Sequence, residues 1–203
     1  MSERIPQLYK GVHAIVACPG PSLTLEVVEQ LRAVKDRYLI VGVGDTYKLI
    51  DFMDEHYACD GRWWKVHGKS VNKLCPNVNL WSHDVEGIEF GARKVNGVHR
   101  PGFSTDPDII HFGSNSGFQA LNLCYLWGVS KMILVGYNMQ RVGTKTHFFT
   151  GRDPSLRIES PYKNFVKQYD LIQQNIKNRI VNCTPNSALT CFRKNDLEVE
   201  LNA

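Results

Sequence analysis

The residues best suited to proton transfer lie in one charged loop of the 203-residue chain, 145–154, whose sequence is KTHFFTGRDP. His147 stands five positions before Arg152. An imidazole can take or give a proton near neutral pH, and a guanidinium beside it can stabilise an anionic leaving group. We therefore predict His147 and Arg152 as catalytic residues. The six other histidines lack the short spacing of a sequence-local zinc site, and no metal site is predicted.

Two aspartates, Asp45 and Asp60, directly follow apolar runs that have the pattern of strands. A carboxylate at a strand end can bind a ribose hydroxyl, coordinate Mg²⁺ or act as a base. The alternative is N-capping, which suits Asp45 because a helical pattern, 46–53, follows it. Asp60 is the better catalytic prediction, since 61–64 (GRWW) has the pattern of a polar–aromatic loop. In such an extended loop one tryptophan would pack in the core and the other could stack on a base or sugar.

Small polar residues occupy two turns that precede helical patterns. Gly20, Pro21 and Ser22 follow the first strand, and backbone amides at a helix start attract phosphate. The second turn is 113–117 (GSNSG), before the most apolar helix. Simple N-capping by Ser114 or Ser116 is the alternative there. The predicted nucleotide-binding residues are Gly20, Pro21, Ser22, Asp45, Asn115, Ser116, Gly117, Tyr137 and Asn138.

The elements that must position these residues alternate along the chain. Continuous apolar runs at 13–18, 38–43 and 131–135 predict strands buried on both faces, which is typical of a parallel sheet between helices. Helical spacing is found at 23–34, 116–127 and 161–177, and 97–114 has the pattern of a loop. We predict a Rossmann-like, three-layer α/β/α fold with a mostly parallel sheet, in one domain spanning residues 1–203. In such sheets ligands bind beyond the carboxyl ends of the strands.

The composition narrows the class of protein. Lysine and arginine number 24 against 20 acidic residues, so the formal charge of +4 permits DNA binding without indicating it. The six cysteines lack CxxC spacing and lie mostly in apolar runs, which is typical of reduced thiols. Without an apolar leader or a run long enough to span a membrane, we expect a cytoplasmic protein.

Several blocks together resemble family 42 sialyltransferases, which use CMP-sialic acid. The blocks are AIVACPGPSL from Ala14, SNSGFQALNLCYLWG from Ser114 with its following strand to Asn138, and CTPNSA from Cys183. The resemblance implies a nucleotide cradle built from these turns. The chain departs from that family at Gly44 and Asp60, where the relatives have asparagine. Their catalytic histidine aligns with Arg152, whereas His147 matches a neighbouring histidine. The aspartate at position 60, in place of asparagine, points to another donor or to a metal.

Small phage and prophage proteins are more similar still, sharing the blocks YACD (57–60), the tryptophan pair, NSGFQALNL (115–123), LVGYNM (134–139) and the His147 loop. The archaeal 6-hydroxymethylpterin diphosphokinases, which depend on Mg²⁺ and ATP, share the GPSL turn and an aspartate after the third strand. If the protein is phage-encoded, the cytoplasm is that of the host.

These observations predict a transferase that uses a nucleotide-activated donor of the CMP or UDP type, most simply a glycosyltransferase. One alternative is a Mg²⁺-dependent diphosphotransferase with Asp60 and Asp45 as metal ligands. The other is a non-catalytic nucleotide-binding or host-interaction protein. The acceptor is open, with phage DNA, a surface glycan or a small metabolite all compatible, and a homo-oligomer is compatible with the fold.

Overall fold

The computed structural model describes residues 4–156 and 159–203 and contains an eight-stranded sheet in which every neighbouring pair is parallel. The order is β10-β9-β8-β1-β2-β3-β4-β5. Its strands are β1 (His13–Ala17), β2 (Leu39–Val43), β3 (Glu55–Tyr57), β4 (Asn79–Ser82), β5 (Arg93–Lys94), β8 (Lys131–Val135), β9 (Ile180–Asn182) and β10 (Arg193–Lys194). A separate parallel pair joins β6 (Asn96–Val98) to β7 (Ile109–His111).

Helices cover both faces of the sheet. They are α1 (Leu25–Val34), α2 (Gly61–Leu74), α3 (Val85–Glu89), α4 (Ser116–Leu126), α5 (Tyr162–Asp170), α6 (Gln174–Lys177) and α7 (Leu197–Leu201). Along β1, Ala14 and Val16 pack on the side of α4, whereas Ile15 and Ala17 pack on the side of α1 and α2. This two-sided burial explains the continuous apolar strands and confirms the Rossmann-like three-layer prediction.

The strand order reverses beside β1. From β1 the chain builds outward through β2, β3, β4 and β5, then returns to place β8 on the other side of β1 in exact register, with Ala17 opposite Val135. This reversal is a topological switch point, and a crevice forms beyond the carboxyl ends of the two strands there.

Helix α4 is buried almost all round, as its apolar sequence predicts. Its two polar core residues both have partners. Gln119 accepts a hydrogen bond from the Tyr57 hydroxyl at 2.6 Å, and the Asn122 side chain binds the backbone of Ser104 and His111. These bonds lock α4 against the sheet, so its N-terminal end has a fixed position.

Some of the predicted elements differ from those in the structure. The helix at 46–53 is only a 3-10 turn, Gly44–Lys48, because the eleven residues 44–54 between β2 and β3 leave little room for a crossover helix. The 161–177 helix is interrupted before α6, where the Gln173 side chain binds the backbone of Phe103. The 97–114 segment, which was predicted to be a loop, carries most of the β6–β7 pair. Within the described residues, no helix has the length and apolarity that crossing a bilayer requires.

Candidate functional site

A cleft of about 270 Å³ opens at the switch point, close in size to the smaller ligand pockets of proteins. The ends of β1, β2, β3 and β8, the start of α4, and the loop from Met139 to Arg152 form its walls. Nine of the twelve residues predicted for the site line it: Gly20, Asp45, Asp60, Asn115, Ser116, Gly117, Asn138, His147 and Arg152. The chain therefore brings most of the predicted residues, which are distant in sequence, into one concave surface.

The β1 and β8 turns touch backbone to backbone at the base of the cleft. The Gly20 amide donates to the Gly136 carbonyl at 3.1 Å, and a Cβ on Gly20 would lie 2.1 Å from that oxygen. Gly136 has φ of +72°, and a Cβ there would meet the Cys18 carbonyl at 2.0 Å. Glycine is required at both positions, since a side chain would push the two strand ends apart.

Asn138, which lines the cleft, also fixes the GPS turn. Its Oδ1 accepts hydrogen bonds from the Ser22 hydroxyl at 2.7 Å and from the Ser22 amide at 3.1 Å, and its Nδ2 donates to Pro185. Ser22 itself faces a separate hollow beside α1, and Pro21 does not line the cleft either. The Ser22 hydroxyl thus orients the turn through Asn138, a contact that the sequence did not suggest.

Tyr137 is a core residue. Its side chain is fully buried and its hydroxyl donates to the Gly117 carbonyl at 3.1 Å. It does not line the cleft, so a direct contact with a base or sugar would require it to move.

The start of α4 is held by side chains that were predicted to hold a ligand. Asn115 caps the helix, its Oδ1 accepting from the Phe118 amide at 2.9 Å and from the Tyr169 hydroxyl at 3.0 Å. The Ser116 hydroxyl bonds Cys59 of the β3 end. These side chains therefore set the position of the helix, and the first-turn amides of Ser116 and Gly117 are the groups best placed for an anion.

Asp45 is a buried carboxylate in the cleft wall. Its Oδ1 lies 2.8 Å from Lys48 Nζ and 3.4 Å from His67 Nε2, and His67 Nδ1 lies 2.9 Å from the Tyr47 hydroxyl. Burial lowers the pKa of His67, with the nearby Lys48 acting in the same direction. The capping interpretation of Asp45 was wrong, because the 3-10 turn begins after Val43 with no side-chain cap.

Asp60 caps a helix that the sequence analysis missed. Its Oδ1 accepts from the Arg62 amide at 2.9 Å, and its Oδ2 lies 3.0 Å from the Arg62 guanidinium. Partial burial opposes ionisation, but the hydrogen bonds from Arg62 outweigh it and lower the pKa of Asp60. The loop prediction for 61–64 was wrong, since these residues are the first turn of α2.

Both tryptophans of that turn are buried, which corrects the extended arrangement that predicted one of them free to stack. Trp64 donates its indole N–H to the Ala58 carbonyl and to Ser82, each at 3.0 Å. Trp63 is 4% exposed and packs between His56 and His67, with ring centroids 5.3 Å and 5.2 Å away, while its edge forms part of the cleft wall. The pair therefore stabilises the floor of the site.

His147 and Arg152 line the cleft from the loop that follows β8. The loop is anchored by a hydrogen bond from the Phe148 amide to the Pro19 carbonyl at 3.1 Å, and His147 Nδ1 lies 2.9 Å from the Thr146 hydroxyl. Burial, together with the neighbouring Arg152, lowers the pKa of His147 to about 4. The imidazole is therefore neutral at neutral pH and can accept a proton.

Residues that were not predicted to contact a ligand line the cleft as well. Ser114 and Met139 line the cleft in left-handed backbone conformations, with φ of +67° and +49°, which non-glycine residues seldom adopt outside constrained sites. Tyr162 and Phe165 reach the cleft from α5. Their contribution depends on how α5 packs, which local pattern does not report.

The side chains that could coordinate Mg²⁺ in this cleft are few and already have ionic partners. Among residues 4–156 and 159–203, no three histidine, cysteine or acidic side chains cluster as metal ligands. Asp45 and Asp60 each face a basic side chain, which compensates the charge that a cation would otherwise neutralise.

Comparison with known proteins places the chain at the level of fold. No protein-family model and no curated protein sequence matches it. A solved structure, MAf glycosyltransferase from Magnetospirillum magneticum AMB-1, is similar to it with a TM-score of 0.62 and 14% sequence identity. The match covers 96% of this chain and 36% of that protein, so the chain spans about a third of that protein's length. Fold and cleft together define a Rossmann-like α/β protein with a ligand-sized cleft at its switch point.

Proposed function

We propose that this chain is a glycosyltransferase domain that binds a nucleotide-activated sugar in the switch-point cleft. One observation carries the proposal: strand ends, the start of α4 and the loop of His147 and Arg152 converge on one cleft. The fold it shares with a glycosyltransferase supports the same conclusion. So does the resemblance of its turns to family 42 sialyltransferases.

The donor's phosphate would lie against the first-turn amides of α4, where the helix dipole favours negative charge. Arg152, which lines the same cleft, would stabilise the charge that develops on the leaving phosphate. Asp45 would accept hydrogen bonds from donor hydroxyls, since its carboxylate is held in the wall by Lys48.

In the transfer step, an acceptor hydroxyl oxygen bonds to the anomeric carbon of the sugar while the bond from that carbon to phosphate breaks. The electron pair leaves with the nucleotide, and the hydroxyl proton passes to His147. His147 suits this role better than Asp60, whose carboxylate is engaged by Arg62. Bound phosphate would raise the pKa of His147 from its low value and make the imidazole a stronger base.

The test has a binding arm and an activity arm. Thermal unfolding is measured with CMP, UDP, GDP and ATP, each with and without Mg²⁺. A ligand present at ten times its Kd should stabilise the fold by about 1.4 kcal/mol. We expect a pyrimidine nucleotide to stabilise without Mg²⁺, and Arg152→Ala to weaken that effect while the exposed Arg100→Ala does not.

In the activity arm, His147→Gln should lower donor turnover by roughly 10²–10⁴-fold with little change in nucleotide affinity. His13→Gln, at the opposite end of β1, is the matched control. Stabilisation by ATP only in the presence of Mg²⁺ would favour the diphosphotransferase alternative. Nucleotide binding with no turnover of any donor would favour a non-catalytic binder.

A further inference from the structure

A second hollow of about 580 Å³ adjoins the switch-point cleft at the His147 loop. Thr146, His147, Arg152 and Ser160 line both this hollow and the switch-point cleft. The proposed base and the proposed phosphate-binding cation therefore stand between two adjacent spaces. An acceptor must approach the anomeric carbon from a space next to the donor, and this hollow has that position.

The charge of the second hollow is positive. Its described lining residues include Arg141, Lys145 and Arg152, and their one carboxylate is Glu159. Arg141 lies 3.8 Å from Glu159, but the two side chains are 55% and 87% exposed, so this ion pair contributes little and is easily exchanged. A ligand anion would thus meet Arg141 and Lys145, and of these Arg141 would give up only its weak surface pair with Glu159.

The remaining lining suits a sugar. Hydroxyl groups come from Thr144, Thr146, Thr150 and Ser160, and Phe149 supplies an aromatic ring. Lys48 lies 3.8 Å above that ring and helps to hold it. Hydroxyls exchange hydrogen bonds with sugar hydroxyls, and an aromatic face packs on the apolar face of a sugar ring.

Hydrogen bonds fix the loop that forms the wall of this hollow. Val142 and Lys145 exchange backbone hydrogen bonds of 3.0 Å and 3.1 Å across a tight turn in which Gly143 has φ of +60°. Gln140 at one end donates to the Asn186 carbonyl at 2.5 Å, and the other end is tied to Pro19 through Phe148. The turn therefore presents Arg141 and Lys145 at defined positions.

We propose that this hollow is the acceptor subsite and that it takes a sugar bearing an anionic group, a phosphate or a carboxylate. The inference rests on the proposed glycosyl transfer and names its acceptor class. A nucleic-acid strand fits less well, because strands are bound along extended basic grooves with several stacking platforms, whereas the described lining of this hollow has one aromatic ring.

Binding is tested on the full chain by saturation-transfer NMR and calorimetry with glucose 6-phosphate, glucuronate, glucose and a short oligothymidylate. We expect an anionic sugar to bind at least about tenfold more tightly than glucose, and the relative affinities of the first two separate phosphate from carboxylate recognition. The Arg141→Ala/Lys145→Ala double variant should lose at least about tenfold of that affinity, and Arg141→Lys should retain part of it. Arg100→Ala serves as the control, and the melting temperature of each variant shows that the fold is kept.

The proposal is overturned if glucose binds as tightly as the anionic sugars, if the wild-type chain binds none of them, or if the double variant keeps full affinity. Tighter binding of the oligonucleotide through the same two residues also overturns it. Nucleotide affinity, measured separately, distinguishes failure of the proposed donor site from failure of the proposed acceptor subsite. Loss of anionic-sugar binding in the double variant, in a chain that binds no nucleotide, would support the hollow and refute the donor site.

Discussion

At the scale of single residues, the site depends on how closely backbones approach. Gly20 and Gly136 let two strand ends meet at the switch point, and each position leaves no space for a Cβ. Two side chains that were predicted to take part in catalysis or binding also have structural roles: Asp60 caps α2 and Asn115 caps α4. A substitution of either residue therefore alters the start of its helix as well as the functional groups in the cleft.

Gly20→Ala should destabilise the fold by about 3 kcal/mol or more, because the new Cβ would lie 2.1 Å from the Gly136 carbonyl oxygen and 2.4 Å from Asn138 Oδ1. Urea unfolding measures the difference. Gly151→Ala is the control: it meets no atom within 4 Å and should cost only about 1 kcal/mol for its left-handed backbone. Equal costs for the two variants would refute the close-packing argument.

At the scale of elements, the first turns of two helices help to form the cleft. Helix α2 begins at the end of β3 and buries Trp63 and Trp64 beneath the cleft, while α4 presents its first amides to it. The caps of both helices come from residues that we expected to contact ligand. Asp60 and Asn115 thus cap their helices and line the cleft at the same time.

Asp60→Ala should lower the free energy of unfolding by about 1 kcal/mol, because the Arg62 amide loses its side-chain acceptor. Asp60→Asn should cost clearly less, since asparagine caps helices about as well as aspartate. Denaturant unfolding of both variants measures the difference. A similar loss in both variants would mean that the Arg62 ion pair, rather than the cap, stabilises this turn. Because Asp60→Asn is expected to keep the cap, it is the variant to use in activity assays.

At the scale of the whole molecule, two buried neutral histidines near the cleft link stability to pH. Burial lowers the pKa of His56 to about 4, and its Nε2 lies 2.8 Å from the Gly44 carbonyl, to which it donates. The pKa of His147 is lowered to about 4 as well, by burial and by Arg152. Both groups must be charged in the unfolded chain at mildly acidic pH, where they remain neutral in the folded one.

The contribution of these two histidines to the free energy of unfolding should therefore fall as the pH drops from about 6.5 to about 4. In that window the unfolded chain binds more protons than the folded one, so stability increases with pH, by up to about 1.4 kcal/mol per pH unit for each group. Urea unfolding at several pH values measures the slope. His147→Gln should make it shallower and leave the pH dependence above 7.5 unchanged. An unaltered slope in the acid range would show that His147 does not contribute.

The sequence by itself determined the architecture. Continuous apolar runs placed β1, β2 and β8 within about one residue, and the apolar helix before Trp127 proved to be α4, because burial on all sides leaves a mark on local composition. The turns that end those strands were equally visible, since glycine and proline have few other uses there. Those features sufficed to predict a cleft and most of its lining.

Only the tertiary structure decided which side chains face that cleft. Whether Ser22 points toward α1, whether Gln173 interrupts a helix by binding Phe103, and whether Tyr137 is enclosed all depend on partners up to 116 positions away. The two-residue strands β5 and β10 are too short to show a pattern and exist because a neighbouring strand pairs with them. Periodicity reports how deeply a segment is buried, whereas the identity of its neighbours is set by packing in three dimensions.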